Sequence, residues 1–259
     1  MQVLIKELAD ELLQAEQTCR PISPFTERYP NLSVSDSYNI QLEVVGQKLK
    51  QGRTVIGKKV GLTSDVMQQM FGVDEPDYGH LLDDMKVESG SVIAVDSFVS
   101  PKVEAEIGFI LAENLSGPNI TYVDVLMATK YIVPTLEIID SRIADWKIKL
   151  ADTVADNGSS AKVVIGNQLS NVSEVDLRTA GMTLYKNNSL IATGAGAAAL
   201  GHPAQAVAWL ANKLSEFNIS LKAGELILPG ALSGAITVQC NDLIRADFGS
   251  LGSVSIKFV

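Results

Sequence analysis

The residues of this 259-residue chain best placed to do chemistry are two glutamates separated by one position, in Val103-Glu104-Ala105-Glu106-Ile107-Gly108-Phe109-Ile110. On a β-strand, side chains two apart share a face. Glu104 and Glu106 then point the same way from a strand whose apolar neighbours ask for burial. Two carboxylates held together in poorly hydrated surroundings repel and resist ionisation. A hard divalent cation resolves that conflict, and Mg²⁺ or Mn²⁺ takes oxygen ligands while keeping open positions. Glu137, in Ile132-Val-Pro-Thr-Leu-Glu-Ile-Ile-Asp140, is a third acid among β-prone apolar residues, and burying it unpaired would be costly. The competing interpretation is a set of solvated acids on an exposed sheet face. Spacing alone does not bring Glu137 to the pair.

Three further segments carry groups that can move or hold a proton. Gly57-Lys58-Lys59-Val60-Gly61 places two lysines between glycines. Either they are surface charges, or one stabilises negative charge developing on a substrate oxygen. Pro76-Asp77-Tyr78-Gly79-His80 has the composition of a turn, and Asp77 is its candidate acid or base. His80 and His202 are isolated and lack metal-pair spacing, which points to structural or capping roles. Gly194-Ala-Gly196-Ala-Ala-Ala199 offers a weak match to a dinucleotide loop. Its preceding strand reads as half of a hairpin, and the nearest following acid, Glu216, falls at a helix end. A dinucleotide-dependent oxidoreductase is therefore an outsider.

These groups need a scaffold, and composition bounds it. The chain has 46% hydrophobic and 20% charged residues, the balance of an ordinary globular domain able to bury a large core. The net charge of −9 opposes sequence-independent binding to nucleic acid. Cys19 and Cys240 form no metal-binding spacing and read as reduced thiols. No apolar run approaches the ~20 residues of a membrane span, and the acidic, amphipathic start is unlike a signal peptide. The sequence reads as a soluble, cytoplasmic protein.

The element pattern is α+β. Leu4, Leu8 and Leu12 predict an amphipathic first helix. Pro21, Pro24 and Pro30 predict a loop over 20–34. A second helix is expected from an N-cap at Ser35, with Tyr38, Leu42, Val45 and Leu49 on one face and a stop at Gly52. Residues 1–52 thus form a helical N-terminal segment, and 53–259 a β-rich core within a single catalytic domain. A short strand is predicted over Thr54–Gly57, a short helix over Ser64–Met70, a structured loop over Val73–Met85 and a β-prone stretch over Ser91–Val99. Val103–Leu111 and Tyr131–Ile139 read as strands flanking a helix over Tyr122–Lys130. A hairpin turning at Asn187-Asn188 follows, then a helix from Pro203 and four strand-like runs, the last alternating through Val254–Phe258. Strands without regular intervening helices favour a mixed or antiparallel sheet over repeated βαβ units.

Taken together, several stretches resemble the 2-keto-4-pentenoate hydratase family of the fumarylacetoacetate hydrolase superfamily. The most characteristic is Asp140-Ser-Arg-Ile-Ala-Asp-Trp-Lys-Ile-Lys-Leu-Ala-Asp-Thr-Val-Ala-Asp156-Asn157. Others are Gly57–Ser64, Gly72–Leu81, the Glu104–Glu106 strand, Thr193–Pro203, Val207–Asn212 and Leu251-Gly-Ser-Val-Ser255, in family order over nearly the whole chain. The resemblance implies a helical N-terminal part on a mixed β-sheet roll. It implies Mg²⁺ or Mn²⁺ on Glu104, Glu106 and Glu137, catalytic roles for Lys59 (rather than Lys58) and Asp77, and a substrate-carboxylate contact at Ser160. The implied activity is hydration of 2-hydroxypenta-2,4-dienoate to 4-hydroxy-2-oxopentanoate in meta-cleavage catabolism of aromatic compounds. The implied assembly is a homo-oligomer, a pentamer or decamer, associating with a decarboxylase or aldolase of the pathway. Family alternatives are 4-oxalocrotonate decarboxylase, 2-oxohept-4-ene-1,7-dioate hydratase and a non-catalytic member. Asp77 and Asp145-Trp-Lys-Ile-Lys149 resemble the hydratases more than the decarboxylases, and the intact acids and lysine argue against loss of catalysis.

Overall fold

The computed structural model describes residues 2–64, 68–69, 72–73 and 75–259. Helix α1 (Gln2–Thr18) leads through a one-turn helix α2 (Phe25–Arg28) to α3 (Val34–Lys50). The cap of α3 is Ser33 rather than Ser35: its hydroxyl accepts from the Asp36 N–H, two residues earlier than expected. Its buried face is also broader than the spacing implied, taking in Ser37, Ile40, Gln41 and Val44 beside Tyr38 and Val45, while Leu49 is exposed. Leu8 and Leu12 of α1, Phe25, and Ile40 and Val44 of α3 share an apolar cluster with Ile143 and Ala155 from the body of the protein. Burial of each such side chain contributes roughly 1.5–3 kcal/mol, which fastens the helical segment to the core.

The β-rich part begins with β1 (Val55–Gly61) and β2 (Asp77–Leu82), followed by β3 (Lys86–Glu88) and β4 (Val92–Ile93). The loop expected over Val73–Met85 is corrected here: its second half is the strand β2, antiparallel to all of β1 and buried throughout. Gly79 and Asp77 are poor strand formers in isolation, but pairing and burial override that preference. The Gln41 side chain donates to the Tyr78 carbonyl and ties β2 to α3. The stretch Ser91–Val99 is a strand only at Val92–Ile93. The helix expected over Ser64–Met70 falls largely outside the described residues.

Then come β5 (Lys102–Leu111), α4 (Tyr122–Ala128), β6 (Thr129–Ile139), α5 (Leu150–Ala155) and β7 (Ser160–Ile165). The hairpin β8 (Gly181–Lys186) and β9 (Ser189–Ala195) turns through Asn187 and Asn188, both with positive φ, as a tight turn requires. Helix α6 (Pro203–Ser215) is capped by the His202 ring, which accepts from the Ala204 N–H. Four strands close the chain: β10 (Leu226–Leu228), β11 (Ile236–Thr237), β12 (Leu243–Asp247) and β13 (Ser253–Phe258).

Among the described residues, β2-β1-β10-β5-β6-β7-β3 run side by side in an eight-stranded mixed sheet, with β11 also pairing to β5. A five-stranded sheet, β4-β13-β12-β8-β9, packs over it. The main core lies between them and under α6, with Ile107, Phe109 and Leu136 from one sheet meeting Leu184, Ile244 and Ile256 from the other. This is the α+β roll expected from the sequence. The glycine-rich run after Thr193 ends a hairpin strand and enters a 3₁₀ turn, not the strand-to-helix loop of a dinucleotide site.

Candidate metal centre and proton-transfer pair

The longest pairing in the molecule, β5 against β6, builds the acidic cluster. Its register sets Glu104 directly opposite Glu137 and Glu106 opposite Thr135. With Glu104 and Glu106 on one face of β5, the three carboxylates converge, one oxygen of each lying within 4.8 Å of the others. Glu106 and Glu137 are buried, which removes the solvated-face interpretation. The Gly230 N–H donates to Glu106 Oε2 at 2.8 Å. Neither oxygen of Glu137 has a hydrogen-bond donor.

Electrostatics report the same strain. Burial, then the Glu137 charge, pushes the Glu104 carboxyl up to about 7. Burial and both neighbouring acids push Glu106 well above the ordinary range, against the Gly230 donor. Burial raises Glu137 against the field of Lys59. An uncompensated buried charge costs several kcal/mol, more than the ~1 kcal/mol a single hydrogen bond returns. Orphaned acceptors, three converging carboxylates and all-oxygen donors suit a hard divalent cation.

The second element of the site comes from β1 and β2. Gly61 pairs with Asp77 across these strands, and Lys59 lies two residues back on the same face. Lys59 and Asp77 are therefore diagonal neighbours, within reach for long side chains, and Lys59 Nζ meets Asp77 Oδ1 at 3.1 Å. The Thr153 hydroxyl donates to Asp77 Oδ2 at 2.7 Å. Burial alone would depress Lys59, but Asp77, Glu137 and Glu104 outweigh it, and its pKa stands above the ordinary lysine value. Two glycines leave room for the pair. A Cβ at Gly61 would lie 2.5 Å from Asp77 Oδ1, and one at Gly158 would lie 2.5 Å from Lys59 Cε. Gly158 also has φ +59, which disfavours any side chain.

Lys58 points to the other side of the sheet. Its ammonium is bound by both oxygens of Glu225 at 2.6 and 2.7 Å, away from the acids. Ser160 is buried beside Glu137. Its hydroxyl is close enough to oppose the rise in that carboxyl, yet falls short of hydrogen-bond geometry. The serine lining the hollow above the site is its neighbour Ser159.

That hollow has a volume of about 70 Å³ and is floored by Lys59, Asp77, Glu104 and Thr153, with Leu62, Lys102, Trp146 and Ile148 around it. A second cleft of about 340 Å³ shares Gly61, Leu62 and Glu104 and runs toward Ala198 and Ser233. A larger hollow, about 460 Å³, is lined by the ends of α1 and α3. Its cations Lys48, Arg53 and Arg142 are paired with Glu16, Asp84 and Asp156, and Lys162 donates to the Asp84 carbonyl, whereas the smaller space adjoins the acidic cluster and Lys59. Thr153, Lys102, Trp146 and the Gly230 N–H were not singled out from sequence. Each is brought to the site by tertiary packing, and only the 140–157 stretch gave a local signal, for Thr153 and Trp146.

The characteristic stretch 140–157 is chiefly a brace under this site. Asp140 accepts from the Val99 and Ser100 N–H groups, and Asp152 accepts from the Thr26 N–H and hydroxyl. Arg142 is buried on Asp156 and on the carbonyls of Asp140, Asp156 and Ser160.

Fold and site together define an enzyme of the fumarylacetoacetate hydrolase type, and the model of the fumarylacetoacetate (FAA) hydrolase C-terminal family matches residues 67–259. A 2-keto-4-pentenoate hydratase from Paraburkholderia xenovorans (strain LB400) is 45% identical over 253 residues, covering 98% of this chain and 94% of the relative. A 2-oxo-hept-4-ene-1,7-dioate hydratase from Escherichia coli is 41% identical, covering 97% of each chain. The solved structure of 4-oxalocrotonate decarboxylase from Pseudomonas putida G7, complexed with magnesium and adipate, superposes with a TM-score of 0.98 at 37% identity, covering 100% of this chain and 98% of that one. The chain belongs to the 2-keto-4-pentenoate hydratase family within that superfamily.

Proposed function

We propose that this protein is a divalent-metal-dependent hydratase that converts 2-hydroxypenta-2,4-dienoate to 4-hydroxy-2-oxopentanoate. The observation that carries the reading is the convergence of Glu104, Glu106 and Glu137 next to the Lys59–Asp77 pair. The relatives sharing nearly the whole chain at 45% identity are named 2-keto-4-pentenoate hydratase, after the keto tautomer of this acid.

Glu104, Glu106 and Glu137 would hold Mg²⁺ or Mn²⁺, which when bound supplies a Lewis acid for the carboxylate and adjacent 2-oxygen of the substrate. Lys59 keeps its proton and presents a cation where negative charge develops on that 2-oxygen. Asp77, fixed by Thr153, is the matching acceptor. Together they assist the proton transfers of a two-stage reaction, Lys59 by its charge and Asp77 as acceptor. The 2-hydroxyl loses its proton and the terminal alkene carbon gains one, which gives a conjugated 2-ketone. Water then adds its hydroxyl at C4 and its proton at C3. Conjugation to the ketone makes C4 electrophilic. Ser160 is proposed to steady the substrate carboxylate from beside Glu137.

A 4-oxalocrotonate decarboxylase is the second reading, favoured by the close superposition on that enzyme. Purified protein given Mg²⁺ and freshly generated 2-hydroxypenta-2,4-dienoate, and separately 4-oxalocrotonate, separates the two. The hydratase reading expects loss of dienol absorbance with 4-hydroxy-2-oxopentanoate formed. We further propose a cytoplasmic homo-oligomer, a pentamer or decamer, associating with a decarboxylase or aldolase of the same pathway.

A further inference from the structure

The hollow above the acids has a reactive floor and a wall that the proposed chemistry does not use. A substrate held at Glu104, Glu106 and Glu137 and worked on by Lys59 and Asp77 must run its carbon chain past both of them. The hollow lined by Lys59 and Asp77 has a volume of about 70 Å³. On a scale where one water takes ~10–15 Å³, that suits the tail of a five-carbon acid better than that of a seven-carbon diacid.

Lys102 and Trp146 form part of the wall. Lys102 shares a strand face with Glu104 and Glu106, roughly 7 Å of strand beyond Glu104. Its ammonium lies 4.0 Å from the centre of the Trp146 ring. Among the described residues, no carboxylate lies within ion-pair distance of it, whereas Lys59 is bound to Asp77. A cation on an indole face is held by the ring quadrupole, which is weaker than a carboxylate contact in the same place. Trp146 is itself fixed: its indole N–H donates to the Ser100 carbonyl at 3.1 Å. Asp145 and Trp146 both take left-handed backbone, with φ of 57 and 56. Consecutive non-glycine residues in that region are rare and cluster where a site requires them.

We infer that the Lys102–Trp146 pair is the specificity-determining element of the site. Trp146 closes the far end of the hollow and occupies the one cation that a second substrate carboxylate would need. With the ring in place, the short monocarboxylate is favoured. With the ring removed, space and a free ammonium appear together, and a longer 2-oxo diacid gains both. The inference rests on the hydratase reading and adds to it the residues that choose the substrate.

The test compares kcat/KM with Mg²⁺ for 2-hydroxypenta-2,4-dienoate and 2-oxohept-4-ene-1,7-dioate in the wild type, Trp146→Ala, Trp146→Phe and Trp146→Ala/Lys102→Met. Trp146→Ala is expected to raise the diacid-to-monoacid ratio roughly tenfold or more, the scale on which pocket size discriminates. Trp146→Phe, which keeps an aromatic face, is expected to stay near the wild-type ratio. The double variant is expected to lose most of the gain. If Trp146→Ala does not fold, Trp146→Leu carries the same prediction. An unchanged ratio on losing the ring, or a double variant that keeps the full gain, overturns the inference. Failure of the wild type to hydrate the pentadienoate would instead overturn the hydratase reading.

Discussion

Lys58 and Lys59 differ by one position and so face opposite sides of β1, and the two sides hold different partners. Lys59 meets Asp77 in the site, while Lys58 is locked to Glu225. Lys59→Met is expected to lower kcat by several orders of magnitude and, because it leaves the buried Asp77 carboxylate without its cation, to lower the denaturation midpoint as well. Lys58→Met leaves a buried carboxylate unpaired, which costs about 3–5 kcal/mol. Its signature is a lowered denaturation midpoint, with turnover per folded molecule largely kept. Equal losses of turnover from the two variants would contradict the assignment. Glu106→Gln removes the negative charge and one of the two carboxylate oxygens from the cluster, while its amide oxygen can still accept from the Gly230 N–H. Titration calorimetry with Mn²⁺ is expected to show binding weakened at least about tenfold, the scale on which 1.4 kcal/mol operates.

At the scale of elements, His80 on β2 gives a pH dependence. Its Nδ1 lies 2.9 Å from Gln41 Oε1. The Gln41 amide nitrogen already donates to Tyr78 and Val154, so the ring nitrogen is the donor. Burial, then Lys58, pulls its pKa down from 6.5 to about 3. The unfolded chain therefore binds a proton near pH 6.5 that the folded chain refuses until about pH 3. Stability is complete above the unfolded value and falls as the pH drops between the two, by about 1.4 kcal/mol per unit at most. The contribution is read as a difference: the urea stability of the wild type relative to His80→Gln is expected to fall between pH 7 and pH 5, the raised buried acids being common to both proteins.

The same elements show what local sequence can reveal. The shared face of Glu104 and Glu106 was legible, because it follows from a period of two within one strand. So were the Asn187-Asn188 turn and the hairpin around it. The placement of Glu137 opposite Glu104 was not, since cross-strand register is set by long-range packing. Nor was β2, whose turn-like residues become a strand only because β1 lies alongside. The resemblance to known hydratases supplied Lys59 over Lys58, and β1 alternation gives the physical reason they differ.

Across the whole molecule, the mixed sheet acts as a plate on which two strand pairs meet. The β5–β6 pair carries the acids, and the β1–β2 pair carries Lys59 and Asp77, the groups proposed to move protons. The brace over residues 140–157 joins the helical segment to both, with Asp152 reaching Thr26 and Thr153 reaching Asp77. Because the buried acids repel when empty, binding of Mg²⁺ or Mn²⁺ should stabilise the fold by mass action. The melting temperature is expected to rise with either ion and to return on adding EDTA, and a flat response would speak against a cation at the cluster.

The three glutamates and the Lys59–Asp77 pair are proposed to form one hydrating centre. The most direct measurement follows 2-hydroxypenta-2,4-dienoate with the purified enzyme, with Mg²⁺ and then with excess EDTA. Loss of the dienol and appearance of 4-hydroxy-2-oxopentanoate are expected only when the ion is present. Turnover that persists in EDTA, or release of CO₂ from 4-oxalocrotonate with no hydration of the dienoate, would contradict it.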